Sequence, residues 1–381
     1  MSLTFEYKTA RIKDLQVITG RNNAGKTTIQ GVTLSEEPLV PTDRFWNSLH
    51  MRFGFTSNIF RYFSHAEVFT RISEVAGDDQ LRVCVERNSE GNGRLLAVTN
   101  PRQAVMRHQD LMSILSRYGS EESTYSRGVV TSRHNPRNSG TFEVAGDGFR
   151  NKFVLDTPID GYGRPSVYLS LLRLICTNGS IGYNPAFRSE LNVGKGDDGV
   201  HFALTRVLEG FNNEDGFAAM RQRFESSSKS WASVNETNKL YKLLARLHNL
   251  GQVKKGSEMK FVGNDGASET MGSPMFKSFH NMTGDLAQVY GLANMDAMSV
   301  KKQRTLPTAC KVYDLLNFAS EVATHHANEI GGRTVQAFIG DLISNEYDLE
   351  GTTDHFSNWQ DFFIGSDATA STMASLNKKG R

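Results

Sequence analysis

Cysteine is scarce in this sequence. The 381 residues include three cysteines, Cys84, Cys176 and Cys310, which lie far apart. There is no Cys-x-x-Cys pair and no cysteine–histidine spacing of the kind that zinc sites use, so a structural zinc ion is not expected. An odd number of cysteines is typical of a protein that stays in a reducing compartment.

Long apolar runs are missing as well. No segment contains the roughly 18 consecutive apolar residues that a membrane-spanning helix needs. The first residues, MSLTFEYKTARIKD, also lack the apolar centre of a secretory signal. The sequence therefore predicts a soluble, intracellular protein with no membrane partner.

A surplus of charge of either sign is the third absence. Lys and Arg number 43 and Asp and Glu number 41, which gives a net charge of +2. A protein that neutralises many phosphates usually carries a clear positive surplus, so any nucleic-acid site has to be a local basic patch. Hydrophobic residues make up 38% of the chain and charged residues 22%, values of an ordinary globular domain that exclude bulk disorder.

Helical and strand periodicities alternate along the chain and predict an α+β fold. A helical hairpin is expected over residues 43–75, with Thr42 or Asp43 capping its first helix, Gly54 ending it, and Ser57 or Asn58 capping the second helix. Hairpins between about Gln80 and Cys176 predict a mostly antiparallel sheet. The helices expected to cover this sheet lie near residues 101–118, 201–211 and 309–328.

Composition divides the chain into five parts. Residues 1–41 are short, mixed and turn-rich, which predicts an extended arm, and residues 42–250 form the α+β core. Residues 251–300 are rich in Gly, Ser and Met without a sustained period, which predicts a long loop or insertion. Residues 301–345 are expected to form closing helices, and residues 346–381 a polar tail.

A Walker A pattern occurs near the N-terminus. A true P-loop joins a strand to a helix, whose first backbone N–H groups bind the phosphates. The segment TTIQGVTLSEEPLVP that follows is rich in β-branched residues and contains Gly31 and two prolines, so it would make a poor helix. The sequence therefore favours a glycine-rich loop and predicts no cofactor. Mg-ATP stays the alternative, held by Gly20, Gly25, Lys26, Thr27 and a Walker B-like Asp156.

The stretch YLSLLRLICTNGSIGYNPAFRSELNVGKGDD, residues 168–198, contains Arg173-Leu-Ile-Cys-Thr-Asn178-Gly followed by Gly-Lys195-Gly. It resembles a family of phage, plasmid and prophage proteins classed as domain-of-unknown-function family 932. The resemblance covers roughly residues 80–330 and includes the later segment YDLLNFASEVATHH. It implies a mobile-DNA context and a location in the host cytoplasm or in a virion, but it implies no reaction.

Basic side chains are the candidate nucleic-acid contacts, because Arg and Lys bind phosphates while amides bind phosphates and base edges. The segment SRGVVTSRHNPRN places four candidates along a strand and its turn, and the family-like motif adds three more. Arg173 is expected either to pair with a carboxylate or to line an open surface beside Lys195, because an unpaired buried guanidinium is too costly. The candidates are Arg127, Arg133, His134, Arg137, Arg173, Asn178 and Lys195.

A further stretch, RFGFTSNIFRYFSHAEVFTRI, interleaves Arg52, Arg61 and Arg71 with aromatic residues. Such mixing can bind single-stranded nucleic acid through stacking and phosphate contacts. The helical spacing of these aromatic residues favours burial instead.

These observations predict a non-enzymatic phage or mobile-element protein that binds DNA as a homo-oligomer, with single-stranded DNA as one option. Two alternatives stay open. The first is a structural or interaction protein of a phage particle, and the second is a P-loop ATPase.

Overall fold

The computed structural model describes residues 3–21, 27–174, 179–181, 187–194, 196–229, 240, 243–244, 246–254, 260–262, 268–270 and 312–343. The chain divides into two compact units. The first unit comprises residues 1–134, 155–166 and 190–210, and the second comprises residues 135–154, 167–189 and 211–381. Strands, mostly antiparallel, combine with helices, which confirms the predicted α+β class.

The strands are short, and most connect to their neighbours through turns. They are β1 (Thr4–Arg11), β2 (Leu15–Arg21), β3 (Thr27–Leu34), β4 (Glu37–Pro41), β5 (Gln80–Arg87), β6 (Gly93–Thr99), β7 (Glu122–Ser126), β8 (Val129–His134), β9 (Thr141–Val144), β10 (Asp147–Pro158), β11 (Ser166–Arg173), β12 (Gly179–Ile181), β13 (Arg188–Glu190), β14 (Lys260–Val262) and β15 (Ser268–Thr270).

The helices carry apolar residues at helical spacing. They are α1 (Asp43–Phe53), α2 (His65–Ala76), α3 (His108–Arg117), α4 (Gly196–Gly210), α5 (Glu214–Lys229), α6 (Val312–Glu321) and α7 (Glu329–Leu342). A π-helical turn, Val322–His326, follows α6 directly.

The first unit contains a six-stranded sheet with the order β1-β5-β6-β4-β3-β2. Its neighbouring strands are antiparallel except for β4 and β6, which are parallel. The structure therefore differs from the sequence prediction at residues 1–41, which form four strands of this sheet rather than an extended arm. Turn residues between these strands interrupt the alternation of apolar and polar residues. The sequence pattern therefore did not reveal that Val32, Leu34 and Leu39 are buried in the core.

Helix α1 covers this sheet and buries Phe45 and Leu49 among its strand residues. As predicted, the Thr42 side chain caps the helix by accepting a hydrogen bond from the Phe45 N–H, and Gly54 ends it in the left-handed conformation. Helix α2 begins at His65, later than predicted, because Ser64 and Glu67 form a reciprocal capping box. A short 3-10 turn, Ser57–Arg61, lies between α1 and α2 in the sequence.

Strand β10 contributes to both units, since its residues up to Val154 belong to the second unit and those from Leu155 to the first. Within the second unit, β10 pairs with β9, and β11 pairs with β12 and β13. Helices α5, α6 and α7 bury Phe224, Leu316 and Phe338 in one core with Phe149 of β10. In the predicted loop at residues 251–300, β14 and β15 form an antiparallel pair. Cys176, Cys310 and the predicted tail lie outside the described residues.

Candidate nucleic-acid interface

The Walker A-like segment connects two paired strands. Gly20 lies in β2 and Thr27 begins β3, and the two strands run antiparallel with Arg21 opposite Thr27. A phosphate-binding loop needs the N-terminus of a helix at this point, and β3 takes its place. Gly25 and Lys26 lie outside the described residues. The geometry therefore gives no support to Mg-ATP binding at this pattern.

Asp156, the suggested second metal partner, is a buried residue of β10. Its Oδ1 accepts a hydrogen bond from the Thr131 hydroxyl at 2.6 Å. In the parts of the chain that the structure describes, no group of three or more His, Cys, Asp or Glu side chains is arranged to hold a metal ion.

Arg173, at the end of β11, is buried in the second unit. Its Nη2 lies 2.7 Å from Oδ1 of Asp147, and the Tyr313 hydroxyl donates to the other carboxylate oxygen. Burial raises the pKa of the Tyr313 hydroxyl, so it stays protonated and donates. Of the two outcomes expected for Arg173, the structure has the ion pair. Asn178 and Lys195, its proposed partners in a binding surface, lie outside the described residues.

Three of the candidates on the SRGVVTSRHNPRN segment lie in the first unit. Arg127 has a positive φ of 45° and places Nη1 3.8 Å from a carboxylate oxygen of Asp43. Arg133 pairs with Glu122 at 3.2 Å. His134 is buried, and its Nε2 lies 2.8 Å from the Ser132 hydroxyl. These side chains therefore do not form one open basic surface.

The buried His134 predicts a pH dependence of stability. Burial lowers the pKa of its imidazole to about 4, with the nearby charge of Glu121 opposing the change. The folded state therefore favours the neutral ring, and its stabilising effect is present above the ordinary pKa of about 6.5 and is lost as the pH falls. Between about pH 7.5 and pH 5, we expect His134 to cost the protein about 2 kcal/mol of unfolding free energy.

Urea unfolding at several pH values, comparing the wild type with His134→Gln, measures this effect. Glutamine keeps a hydrogen-bonding side chain near Ser132 but does not titrate. The variant should lose less stability than the wild type over this pH range. Parallel pH profiles would contradict the assignment.

Arg137, the fourth candidate of the segment, lines an open cleft in the second unit. We call it the Arg137 cleft; its polar lining consists of the loop 137–140, Asn151 of β10, Asn212 and Glu214 at or just before the start of α5, and Arg221 in the middle of α5. The cleft has a volume of about 540 Å³, which is within the usual range for a small-ligand site.

Backbone hydrogen bonds hold the walls of the Arg137 cleft. The Arg137 N–H donates to the Phe211 carbonyl at 3.0 Å, and the Asn151 N–H donates to the Gly140 carbonyl at 3.4 Å. Helix α5 begins beside the cleft, where Oδ1 of Asn213 accepts from the Gly216 N–H at 2.9 Å. The start of a helix carries partial positive charge, which favours an anion nearby.

Glu214 is the acidic residue of the lining. Its Oε1 accepts hydrogen bonds from the Asn138 amide at 2.7 Å and from the Asn212 amide at 3.1 Å. These bonds, that of Asn212 first, lower the pKa of Glu214. The carboxylate is therefore ionised and tied to two side-chain amides, which fixes those amides at the cleft.

Two polar atoms of the lining are buried without a hydrogen-bond partner, Oδ1 of Asn151 and Nε of Arg221. Asn151 as a whole is 7% exposed. The Arg221 guanidinium lies 4.3 Å from the centre of the Phe142 ring, a cation–π distance that fixes its orientation. Buried polar atoms normally have partners, so these two atoms leave one acceptor and one donor of the lining unused.

Sequence analysis identified Arg137 but missed Asn151 and Arg221. Asn151 comes from β10, and Arg221 comes from α5, which lies far along the chain from the Arg137 loop. The segment FNNED does carry a helix-start signal, which places Asn212 and Glu214. No local pattern connects that signal with Arg137.

Comparison with family models, curated proteins and solved structures gives no match for this chain. The resemblance to family 932 therefore stays a prediction that rests on the motif residues. Across the described ranges, no helix has both the length and the apolar character needed to cross a membrane.

Proposed function

We propose that this chain is a DNA-binding protein of a phage or another mobile element, and that the Arg137 cleft holds a phosphate and the base next to it. The observation that carries the proposal is the Arg137 cleft itself. Arg137 and Arg221 make no ion pair with other described residues, and they lie in one cleft with the unpartnered Oδ1 of Asn151.

The chemistry of the lining suits a nucleotide unit of a DNA chain. Guanidinium groups bind phosphate oxygens through charge-assisted hydrogen bonds. Side-chain amides bind base edges, and Asn151 offers a free acceptor for an exocyclic amine. A small local site also agrees with the net charge of +2, which does not suit a long basic track.

A single cleft with two arginines provides few phosphate contacts for each copy of the chain. Linking several copies on one DNA strand would raise the overall affinity without new contacts in any copy. We therefore include homo-oligomeric binding in the proposal. Sedimentation of the protein with and without DNA measures it.

Arg137→Ala tests the proposed contact. The exposed side chain makes no ion pair with other described residues, so the variant should fold normally. We expect about tenfold weaker binding to a fluorescent oligonucleotide, equivalent to roughly 1.4 kcal/mol. The slope of log affinity against log salt should fall by about 0.7 on single-stranded DNA, the loss of one phosphate contact.

Lys254→Ala is the matched control, because Lys254 is an exposed cation of the same unit that does not line the cleft. It should change neither affinity nor salt slope. If the wild type shows no salt-dependent DNA binding, the proposal fails. The interpretation as a structural protein of a phage particle would then be the one to test.

A further inference from the structure

Two aromatic side chains are strongly exposed in the first unit, at the end of the 3-10 turn Ser57–Arg61. Tyr62 is 81% exposed and its neighbour Phe63 is 54% exposed. Arg61, which precedes them, is also exposed and makes no ion pair with other described residues. We call these three residues the Tyr62 surface. Neighbouring exposed aromatic rings are a feature of interaction sites.

The Tyr62 surface rests on a packed set of aromatic residues. The Phe60 ring stacks on the His65 ring with centres 3.8 Å apart and planes 10° apart. The Trp46 ring meets both of them edge-on, at 6.4 Å and 5.1 Å. The N–H groups of Tyr62 and Phe63 both donate to the Ile59 carbonyl, at 3.1 and 3.0 Å. The exposed rings are therefore held on a fixed backbone.

The charges around this surface favour an anionic partner. From Arg44 to Ala66 the sequence contains three arginines and two histidines, and the nearest acidic residues in the sequence are Asp43 and Glu67 at its two ends. Arg44 forms an ion pair with Asp160, and Nη2 of Arg52 lies 3.6 Å from Oδ2 of Asp79. Arg61 is the arginine of this segment that has its charge available for a ligand.

We infer that Tyr62 and Phe63 stack against bases of single-stranded DNA while Arg61 contacts the adjacent phosphate. This inference rests on the proposed function and narrows its ligand to single strands. Stacking on exposed rings needs bases with free faces, which a duplex does not offer. The same rings could otherwise cover a protein partner. The exposed Arg61, which makes no ion pair with other described residues, favours the nucleic acid, and the nearby Glu67 carboxylate is already bonded to the Ser64 N–H and hydroxyl.

The test is a double variant, Tyr62→Ala with Phe63→Ala, measured on a thymidine oligonucleotide, an abasic oligonucleotide of equal length, and a duplex. The wild type should bind the thymidine strand at least about tenfold more tightly than the abasic strand, because the abasic strand has phosphates without stacking bases. The double variant should bind the thymidine strand several-fold more weakly than the wild type does, and its preference over the abasic strand should fall to what the base contact in the Arg137 cleft supplies. Duplex binding should not change.

Phe202→Ala is the matched control, because Phe202 is an aromatic residue of the same unit that is 69% exposed on α4. It should keep the preference for the thymidine strand. Tyr62→Trp, which retains an aromatic face, should also keep it. Circular dichroism of each variant confirms that the fold is intact.

The outcomes separate this inference from the proposed function. If Arg137→Ala weakens DNA binding while the double variant keeps the full wild-type preference for the thymidine strand, stacking at Tyr62 is excluded and the proposed function survives. If the double variant loses self-association and keeps its DNA preference, the surface joins copies of this chain and the inference is overturned. If the wild type binds no oligonucleotide, both proposals fail.

Discussion

Replacing Asp147 by alanine is expected to lower the free energy of unfolding by about 3–5 kcal/mol, the usual cost of breaking a buried ion pair. The Asp147 and Arg173 side chains are 2% and 7% exposed and lie 2.7 Å apart. Removing the carboxylate takes away the charge that pairs with the buried Arg173 guanidinium. It also removes an acceptor of the Tyr313 hydroxyl. The hydrogen bond between Tyr313 and Asp147 connects α6 to β10.

Urea unfolding followed by circular dichroism measures the effect, with Glu225→Ala as the control. Glu225 is an exposed carboxylate on α5 in the same unit, and its loss should change stability by no more than about 0.5 kcal/mol. The double variant Asp147→Leu with Arg173→Met should be more stable than Asp147→Ala, because it removes both charges. A cost below about 1 kcal/mol for Asp147→Ala would show that this pair does not hold the second unit together.

Replacing Gly128 by alanine is the second change with a large expected effect. Gly128 has a φ of 87°, and a Cβ there would lie 2.5 Å from Oδ2 of Asp160. That oxygen cannot move away easily, because the Arg44 guanidinium holds both carboxylate oxygens at 2.7 and 2.8 Å. The Tyr162 N–H also donates to Oδ1, at 3.0 Å. We expect a loss of about 3–5 kcal/mol from backbone strain and overpacking together.

Gly91→Ala separates these two causes. Gly91 has a similar φ of 81°, but a Cβ there meets nothing within 4 Å. It should therefore cost only the left-handed backbone term of about 1–2 kcal/mol. Thermal and urea unfolding of both variants should differ by at least about 1 kcal/mol. Equal losses would mean that the Asp160 carboxylate yields to the added methyl group.

The sequence was most informative where local chemistry and tertiary packing agree. Thr42 and Gly54 mark the ends of α1, and the structure has both. The helix expected near residues 101–118 begins only at His108. The Asn100 side chain instead accepts from the Arg102 N–H at 2.9 Å and closes a turn. The same side chain can cap a turn or a helix, so its presence did not decide between them.

The candidate site was predictable only in part, for a related reason. Arg137 stood out because a turn sequence and a cluster of arginines surround it. The atoms that make its surroundings a cleft belong to Asn151 and Arg221, whose burial depends on long-range packing. Tyr62 and Phe63 show the converse, since their spacing fitted a buried helical face and the short 3-10 turn exposes them instead. Periodicity alone does not reveal such a change of helix type.

The order of the segments along the chain has a consequence for how the protein is made. The first unit needs residues 1–134, 155–166 and 190–210. A ribosome that has released only the first of these segments has produced Arg44 without Asp160, and six sheet strands without α4. The unit can therefore complete its fold only when synthesis has passed residue 210. A gene fragment that stops at residue 134 should yield an unstable product, and physical separation of the units would require joining segments that are not consecutive in the chain.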